Sequence, residues 1–78
     1  MSKQVVIYTT PTCSYCQKAK ALFEAAGVVY TEKDVLKDKI AAGVMVQKSG
    51  QLGVPVITVD GEIVVGFNQT KLRQLLEI

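Results

Sequence analysis

The sequence contains no histidine and only two cysteines, Cys13 and Cys16, which lie three positions apart. A structural zinc ion needs a full tetrahedral set of ligands, so the chain cannot complete a site of thiolates and imidazoles on its own. The absence of histidine also excludes activation of a thiol by a neighbouring imidazole. The function of the cysteine pair must therefore be sought in other chemistry.

Long apolar runs and an excess of one charge are also lacking. The net charge is +2 and the basic residues are scattered, which predicts neither a nucleic-acid nor a membrane partner. The N-terminal apolar run is too short for a signal peptide, and no segment approaches the length of a membrane span. We therefore expect a cytoplasmic monomer with a single domain over residues 1–78.

Four short segments have strand character, because they are rich in β-branched residues. The Asp60-Gly61 pair between the last two segments is the signal of a type I′ hairpin turn. The predicted strands are Val5–Tyr8, Val28–Thr31, Val56–Val59 and Glu62–Val65.

A helix is predicted from about Ser14 to Ala26, with Gly27 as its stop. Its apolar positions at helical spacing are Ala19, Leu22, Phe23 and Ala26. Its polar side is predicted to consist of Gln17, Lys18, Lys20 and Glu24.

Two further helices are predicted, which gives the order β-α-β-α-β-β-α. The first follows Asp34 as N-cap and ends at Ser49-Gly50. Its predicted apolar stripe is Leu36, Ile40 and Val44. The second is capped by Asn68, and its stripe is Leu72, Leu75 and Leu76.

The position of the cysteines at a helix start suggests redox chemistry. Free N–H groups and the helix dipole favour the thiolate of Cys13, the nucleophilic form. Cys16 lies on the apolar stripe and should be the more buried thiol. Cys13 can then attack a disulfide and Cys16 can resolve the mixed disulfide. The alternative is a thiolate metal-binding module, which holds copper(I) or, in a dimer with exogenous thiols such as glutathione, an iron–sulfur cluster.

Three stretches in this order, "YTTPTCSYCQKAKALF", "GVPVITVDGE" and "GFNQTKLRQLL", resemble the glutaredoxins. The resemblance implies an α/β minimal thioredoxin fold, with a four-stranded mixed sheet in the order 2-1-3-4 flanked by helices. It also implies an enzyme, a dithiol–disulfide oxidoreductase that reduces protein or small-molecule disulfides. No cofactor or metal is implied, although glutathione is a possible co-substrate.

The resemblance assigns roles to individual residues. Cys13 matches the nucleophile and Cys16 the resolving thiol. Pro55 matches a cis-proline that presents the backbone of Val54 to the substrate, and Tyr15 matches an aromatic wall of the site. The implied substrate-binding residues are Thr12, Tyr15, Val54, Pro55, Gly66, Phe67 and Asn68.

The sequence departs from the glutathione-binding members of this family at charged positions. Thr10 and Gln51 stand where those members carry basic residues, and Asn68 and Gln69 stand where they carry acidic ones. Charge-assisted hydrogen bonds are worth roughly 1.5 to 3 kcal/mol each. We therefore expect weak glutathione binding, and the electron donor is either glutathione or a thioredoxin reductase-type system.

Overall fold

Four strands and three helices follow one another in the predicted order, in a computed structural model that describes residues 4–50, 53 and 55–78. The elements are β1 (Val5–Thr9), α1 (Ser14–Ala25), β2 (Tyr30–Asp34), α2 (Lys39–Ser49), β3 (Val56–Val59), β4 (Glu62–Val65) and α3 (Gln69–Leu76). None of the helices within these ranges has both the length and the apolar character that a membrane crossing requires.

The strands form one mixed sheet in the order β2-β1-β3-β4, as predicted. Strand β1 pairs in parallel with β2 and antiparallel with β3, and β3 pairs antiparallel with β4. The β3–β4 turn has positive φ angles at both Asp60 (50°) and Gly61 (88°), as a type I′ turn requires. The predicted bounds of these two strands are confirmed.

Each face of the sheet has its own core, because successive residues of β1 point to opposite sides. Val5 and Ile7 face α1 and α3 and contact Phe23 and Leu72, all of them buried. On the other face, buried side chains of β1, α2 and β3 form a smaller cluster that consists of Tyr8, Ala41, Met45 and Val56. The helices therefore flank the sheet on both sides, as the thioredoxin fold implies.

Helix α1 ends one residue earlier than predicted. Ala26 is its C-cap and is exposed, rather than part of the apolar stripe. The stripe is otherwise confirmed, with Ala19 and Phe23 buried and Leu22 packed at the edge of the core.

The predicted position of the second strand was wrong by two to three residues. Gly27 has a φ of 71°, and the N–H of Val28 donates to the carbonyl of Phe23 at 2.8 Å, so Val28 still belongs to the end of α1. Strand β2 then begins at Tyr30 and ends at Asp34. It is an edge strand with mostly exposed side chains, so its sequence has no need of the apolar pattern on which the prediction relied.

The predicted N-cap of the second helix was also wrong. Asp34 ends β2, and its carboxylate accepts hydrogen bonds from the N–H groups of Leu36 (2.9 Å) and Lys37 (3.3 Å) in a turn. Asp38 is the N-cap of α2 instead, and its carboxylate accepts from the N–H of Ala41 at 3.0 Å.

As a result, α2 buries a different face from the predicted one. Leu36 precedes the helix and is 65% exposed, and Ile40 is 82% exposed. Ala41 and Met45 are buried, and Val44 is half-buried at the edge of the same cluster. The segment is apolar on nearly every side, so periodicity alone could not identify the face that contacts the sheet.

Candidate active site

Cys13 is the N-cap of α1, immediately after the turn that leaves β1. Its Sγ accepts a hydrogen bond from the backbone N–H of Cys16 at 3.1 Å. Its own N–H donates to the carbonyl of Thr10 at 3.2 Å, which closes the turn. Cys13 as a residue is half-buried, and its N-cap position places it at the free amide groups of the helix start.

Cys16 lies one helical turn further on and is fully buried, with 0% of its surface exposed. Burial raises the pKa of its thiol to about 12, and the hydrogen bond and the negative charge of Cys13 act in the same direction. A hydrogen bond with the backbone of Thr10 and the positive charge of Lys20 lower the pKa of Cys16, but by less than burial raises it. Both cysteines are free thiols in this structure. The predicted difference in burial between them is confirmed.

A charged cluster beside Cys16 was missed by sequence reasoning, which assigned Lys20 to the polar side of the helix. The Lys20 ammonium lies 2.9 Å from Oε2 of Glu32 on β2. The hydroxyl of Thr9, a buried residue of β1, donates to the same oxygen at 3.0 Å. We call Thr9, Lys20 and Glu32 the charged cluster.

The pairing of β1 with β2 explains this cluster. Glu32 is opposite Ile7, and Thr9 is two residues beyond Ile7, so both side chains lie on the face that α1 covers. The spacing of Lys20 four residues after Cys16 was a usable signal in the sequence. Glu32 was not, because the second strand had been predicted to end at Thr31.

Most of the residues implied for substrate binding lie in segments that enter or leave the sheet at one end of its strands. Tyr8 near the end of β1 pairs with Val56 at the start of β3, and Val56 pairs with Val65 at the end of β4. Three segments therefore lie at the same end of the sheet, which we call the substrate end: the turn to Cys13, the buried Pro55 and the segment after β4. The N–H of Gly66 donates to the carbonyl of Pro55 at 2.8 Å, which joins two of these segments directly.

The other implied residues belong to the segments at the substrate end and differ in exposure. Thr12 is exposed, and Tyr15 is 58% exposed with the Lys18 ammonium 5.1 Å from its ring centroid. Phe67 is partly buried and packs against the core. Asn68 caps α3 through a 3.1 Å hydrogen bond from the N–H of Lys71, as predicted.

Two predicted positions, Gln51 and Val54, lie outside the described residues, and so does the Val54–Pro55 bond. Within residues 4–50, 53 and 55–78, no three cysteine or carboxylate side chains come together as a metal site would need.

Comparison with known proteins agrees with this geometry. The family model described as Glutaredoxin matches residues 5–64. A glutaredoxin-like protein of 8.6 kDa from a rubredoxin operon of Clostridium pasteurianum is 38% identical, over 94% of this chain and 97% of its own length. Glutaredoxin 3 of Escherichia coli is 37% identical over 80% of this chain and 75% of its own length.

The solved structures agree as well. The thioredoxin-like protein BC3987 superimposes with a TM-score of 0.88 and 36% identity, over 92% of this chain and 99% of its own. A glutaredoxin from Archaeoglobus fulgidus has a TM-score of 0.87 and 25% identity, over 97% of this chain and 88% of its own.

Proposed function

The chain belongs to the glutaredoxin family and is a thiol–disulfide oxidoreductase, and from this premise we propose that Cys13 is its attacking thiol and Cys16 its resolving thiol. The observation that carries the assignment is the contrast between the two sulfurs. Cys13 is half-buried at a helix start and accepts a hydrogen bond from the Cys16 N–H, whereas Cys16 has no exposed surface.

The first step is attack by the Cys13 thiolate on one sulfur of a substrate disulfide. The old S–S bond breaks, one substrate thiolate leaves and takes a proton from solvent, and a mixed disulfide forms at Cys13. The N–H of Cys16 stabilises the attacking thiolate before this step, because a charged acceptor makes the stronger hydrogen bond.

In the second step the sulfur of Cys16 attacks Sγ of Cys13. The mixed disulfide breaks, the second substrate thiolate leaves with a proton, and a Cys13–Cys16 disulfide forms. The cysteine pair has then given two electrons to the substrate, and an external donor must return them. The raised pKa of Cys16 keeps this thiol protonated until Cys13 has reacted.

We propose that the substrate lies across the substrate end of the sheet. Thr12 and Tyr15 are exposed next to Cys13 on one side. Pro55, Gly66, Phe67 and Asn68 supply the other side, where Gly66 and Pro55 are already joined by a hydrogen bond. Val54 belongs to this proposal through the family resemblance, since its backbone would pair with an extended substrate.

The proposed partners are disulfide-containing proteins and an electron donor. Thr10 and Gln69 are neutral where glutathione-binding relatives carry charge, which favours a thioredoxin reductase-type donor over glutathione. Asn68 already uses its side-chain oxygen to cap α3. The start of α3 can still receive a carboxylate through its backbone N–H groups, so glutathione remains a weaker donor in this proposal.

The roles of the two thiols are tested with Cys13→Ser and Cys16→Ser variants exposed to glutathione disulfide. Cys16→Ser is expected to stop at one glutathione bound to Cys13, because no resolving thiol remains, and mass spectrometry detects this adduct. The wild-type protein is expected to form the internal disulfide without a lasting adduct. Cys13→Ser is expected to give neither product.

A glutathione adduct on Cys16 of the Cys13→Ser variant would reverse the assignment if it formed as fast as the wild-type protein reacts with glutathione disulfide. Metal analysis and visible spectra of the same preparations test the metal-binding alternative, since an iron–sulfur cluster absorbs visible light and copper(I) is found by elemental analysis.

A further inference from the structure

Resting on the thiol roles proposed above, we propose that Lys20 supplies the positive charge that stabilises the Cys16 thiolate during the resolving step, and that Glu32 holds the Lys20 ammonium in place. Lys20 is thus the electrostatic partner of Cys16, and Glu32 is a positioning residue that acts through Lys20.

The helix places Lys20 next to Cys16. Residues four apart on a helix are neighbours on one face, with Cβ atoms about 5 to 6 Å apart. Cys16 is a fully buried residue of α1, and Lys20 at this spacing is the cation whose charge acts on it. The Lys20 side chain is only 26% exposed, which limits its screening by solvent.

The ammonium of Lys20 is fixed by groups that belong to the sheet rather than to its own helix. Oε2 of Glu32 lies 2.9 Å from the Lys20 ammonium and also accepts the Thr9 hydroxyl at 3.0 Å. Thr9 is buried and β2 pairs with β1 along its length, so the carboxylate has a defined position. The Lys20 side chain therefore crosses from α1 to β2 and is held there by the Glu32 carboxylate.

The resolving step is where this charge has an effect. In the reduced protein, burial and the neighbouring Cys13 both raise the pKa of Cys16. Once Cys13 is in a mixed disulfide it carries no charge, so its contribution disappears while the effect of burial remains. The backbone of Thr10 and, to a smaller extent, the Lys20 ammonium then oppose burial, because both lower the pKa of Cys16. Of these two, Lys20 acts through a side chain that a substitution can remove.

The groups that act on this cluster come from three elements, α1, β1 and β2. The hydrogen bond and negative charge of Glu32 on β2 raise the pKa of Lys20, and Cys16 and Glu24 on α1 add to this effect, so the ammonium stays charged. The hydrogen bonds from Lys20 and Thr9 lower the pKa of Glu32, while the negative charge of Asp34 opposes them. The pair thus stays ionised over the neutral range in which the enzyme must ionise Cys16.

The chemistry of the step is unchanged by the proposal. Cys16 gives up its proton, its sulfur forms a bond to Sγ of Cys13, and the bond from Cys13 to the substrate sulfur breaks. The departing substrate thiolate ends as a thiol with one proton, so the proton and the electron pair balance. Lys20 neither gives nor takes a proton, and it acts only by stabilising negative charge on Cys16.

The proposal is tested by separating the two steps in time. One equivalent of dithiodipyridine, which reacts with thiols even in acid, is first mixed with reduced protein at a pH where Cys16 is protonated. This step modifies Cys13 and releases the first thiopyridone. A jump to higher pH then starts the attack by Cys16, and release of the second thiopyridone is followed by absorbance.

In the variant Lys20→Met, the second release is expected to be about threefold slower at neutral pH, because a rise of roughly one unit in the pKa of Cys16 lowers the thiolate fraction about tenfold but makes the thiolate about threefold more nucleophilic. The loss is expected to disappear and then reverse slightly at high pH, where Cys16 is ionised in both proteins and its thiolate in the variant is the more basic one. Lys20→Arg keeps the charge and is expected to stay near the wild-type rate. Glu32→Gln removes only the anchor and is expected to slow the release less than Lys20→Met.

Lys48→Met, on the far side of the sheet in α2, is the control for net charge and is expected to behave as the wild type. A Lys20→Met rate equal to the wild-type rate overturns the proposal. A loss of rate that is the same at every pH also overturns it, because that result indicates altered geometry and not altered charge. If wild-type protein gives no second release, the proposed thiol roles fail instead, and the two failures are thereby distinguished.

Discussion

The backbone N–H of Cys16 donates to Sγ of Cys13 across 3.1 Å. The helical turn that buries the thiol of Cys16 thus also supplies a hydrogen-bond donor to the sulfur of Cys13. The two sulfurs therefore differ in environment although they are separated by only Ser14 and Tyr15. Cys13 combines partial exposure with a hydrogen bond from a backbone N–H, and Cys16 combines burial with a raised pKa.

Alkylation of the reduced protein at neutral pH is expected to label Cys13 much faster than Cys16. The raised pKa of Cys16, about 12, leaves almost no thiolate at this pH, and its burial blocks the reagent. Labelling at Cys16 should therefore grow only in strongly alkaline solution. Peptide mass spectrometry after timed quenching measures both rates, and equal rates at the two sulfurs would contradict the proposed roles.

Truncation of α2 is expected to distinguish its two faces. Met45→Ala removes a fully buried side chain and should cost about 2 to 5 kcal/mol in the free energy of unfolding. Ile40→Ala removes an exposed side chain and should change that free energy by less than about 0.5 kcal/mol. Chemical denaturation measures both values. A larger loss for Ile40→Ala would mean that the face predicted from the sequence is the buried one.

The Glu32 carboxylate is expected to make stability depend on pH on the acid side. The hydrogen bond from Lys20 lowers its pKa in the folded protein, so the folded state binds its proton less readily than the unfolded state does. Its contribution is therefore present above the unfolded pKa and is lost as the pH falls through the folded pKa.

The difference in denaturation midpoint between wild type and Glu32→Gln should consequently shrink from neutral to acid pH. The effect is modest, because 41% of the Glu32 side chain is exposed. Glu62→Gln, at an exposed carboxylate on β4, serves as the matched control. A difference that grows toward acid pH would mean that the folded state raises the pKa of Glu32 instead of lowering it.

Restoring charge near the substrate end of the sheet is expected to raise the rate at which glutathione reduces the protein. Thr10→Lys adds a cation beside the Cys13 turn, and Gln69→Asp adds an anion at the start of α3. Each should accelerate reduction of the Cys13–Cys16 disulfide by glutathione, more at low salt than at high salt. Thr10→Ser and Gln69→Asn are the neutral controls.

The measurement is the second-order rate with glutathione beside the rate with a thioredoxin reductase-type system. A wild-type rate with glutathione that equals or exceeds the reductase rate would mean that backbone contacts suffice. The proposed preference for a reductase would then be wrong.

The parts of the fold that the sequence predicts well are those with a single strong local signal. Asp60-Gly61 fixes the hairpin, and Asn68 fixes the start of α3, because turn and cap chemistry act over a few residues. The bounds of β2 and the buried face of α2 have no such signal. They are decided by pairing with β1 and by contact with the sheet, which are long-range effects.

The candidate site divides in the same way. The positions of Cys13 and Cys16 follow from the helix start and the apolar stripe, both visible in the sequence. The ion pair of Lys20 with Glu32 joins residues from two elements and depends on strand register. A sequence pattern that ends the second strand at Thr31 cannot reveal it.

The polarity of β2 has one more consequence, which concerns encounters between molecules. An edge strand presents free backbone groups on which a strand of another molecule can add, and natural sheets discourage this with charged side chains. Strand β2 is such an edge, and it carries Glu32 and Lys33, both exposed. The same lack of apolar residues that conceals β2 in the sequence thus protects the sheet against growth into aggregates.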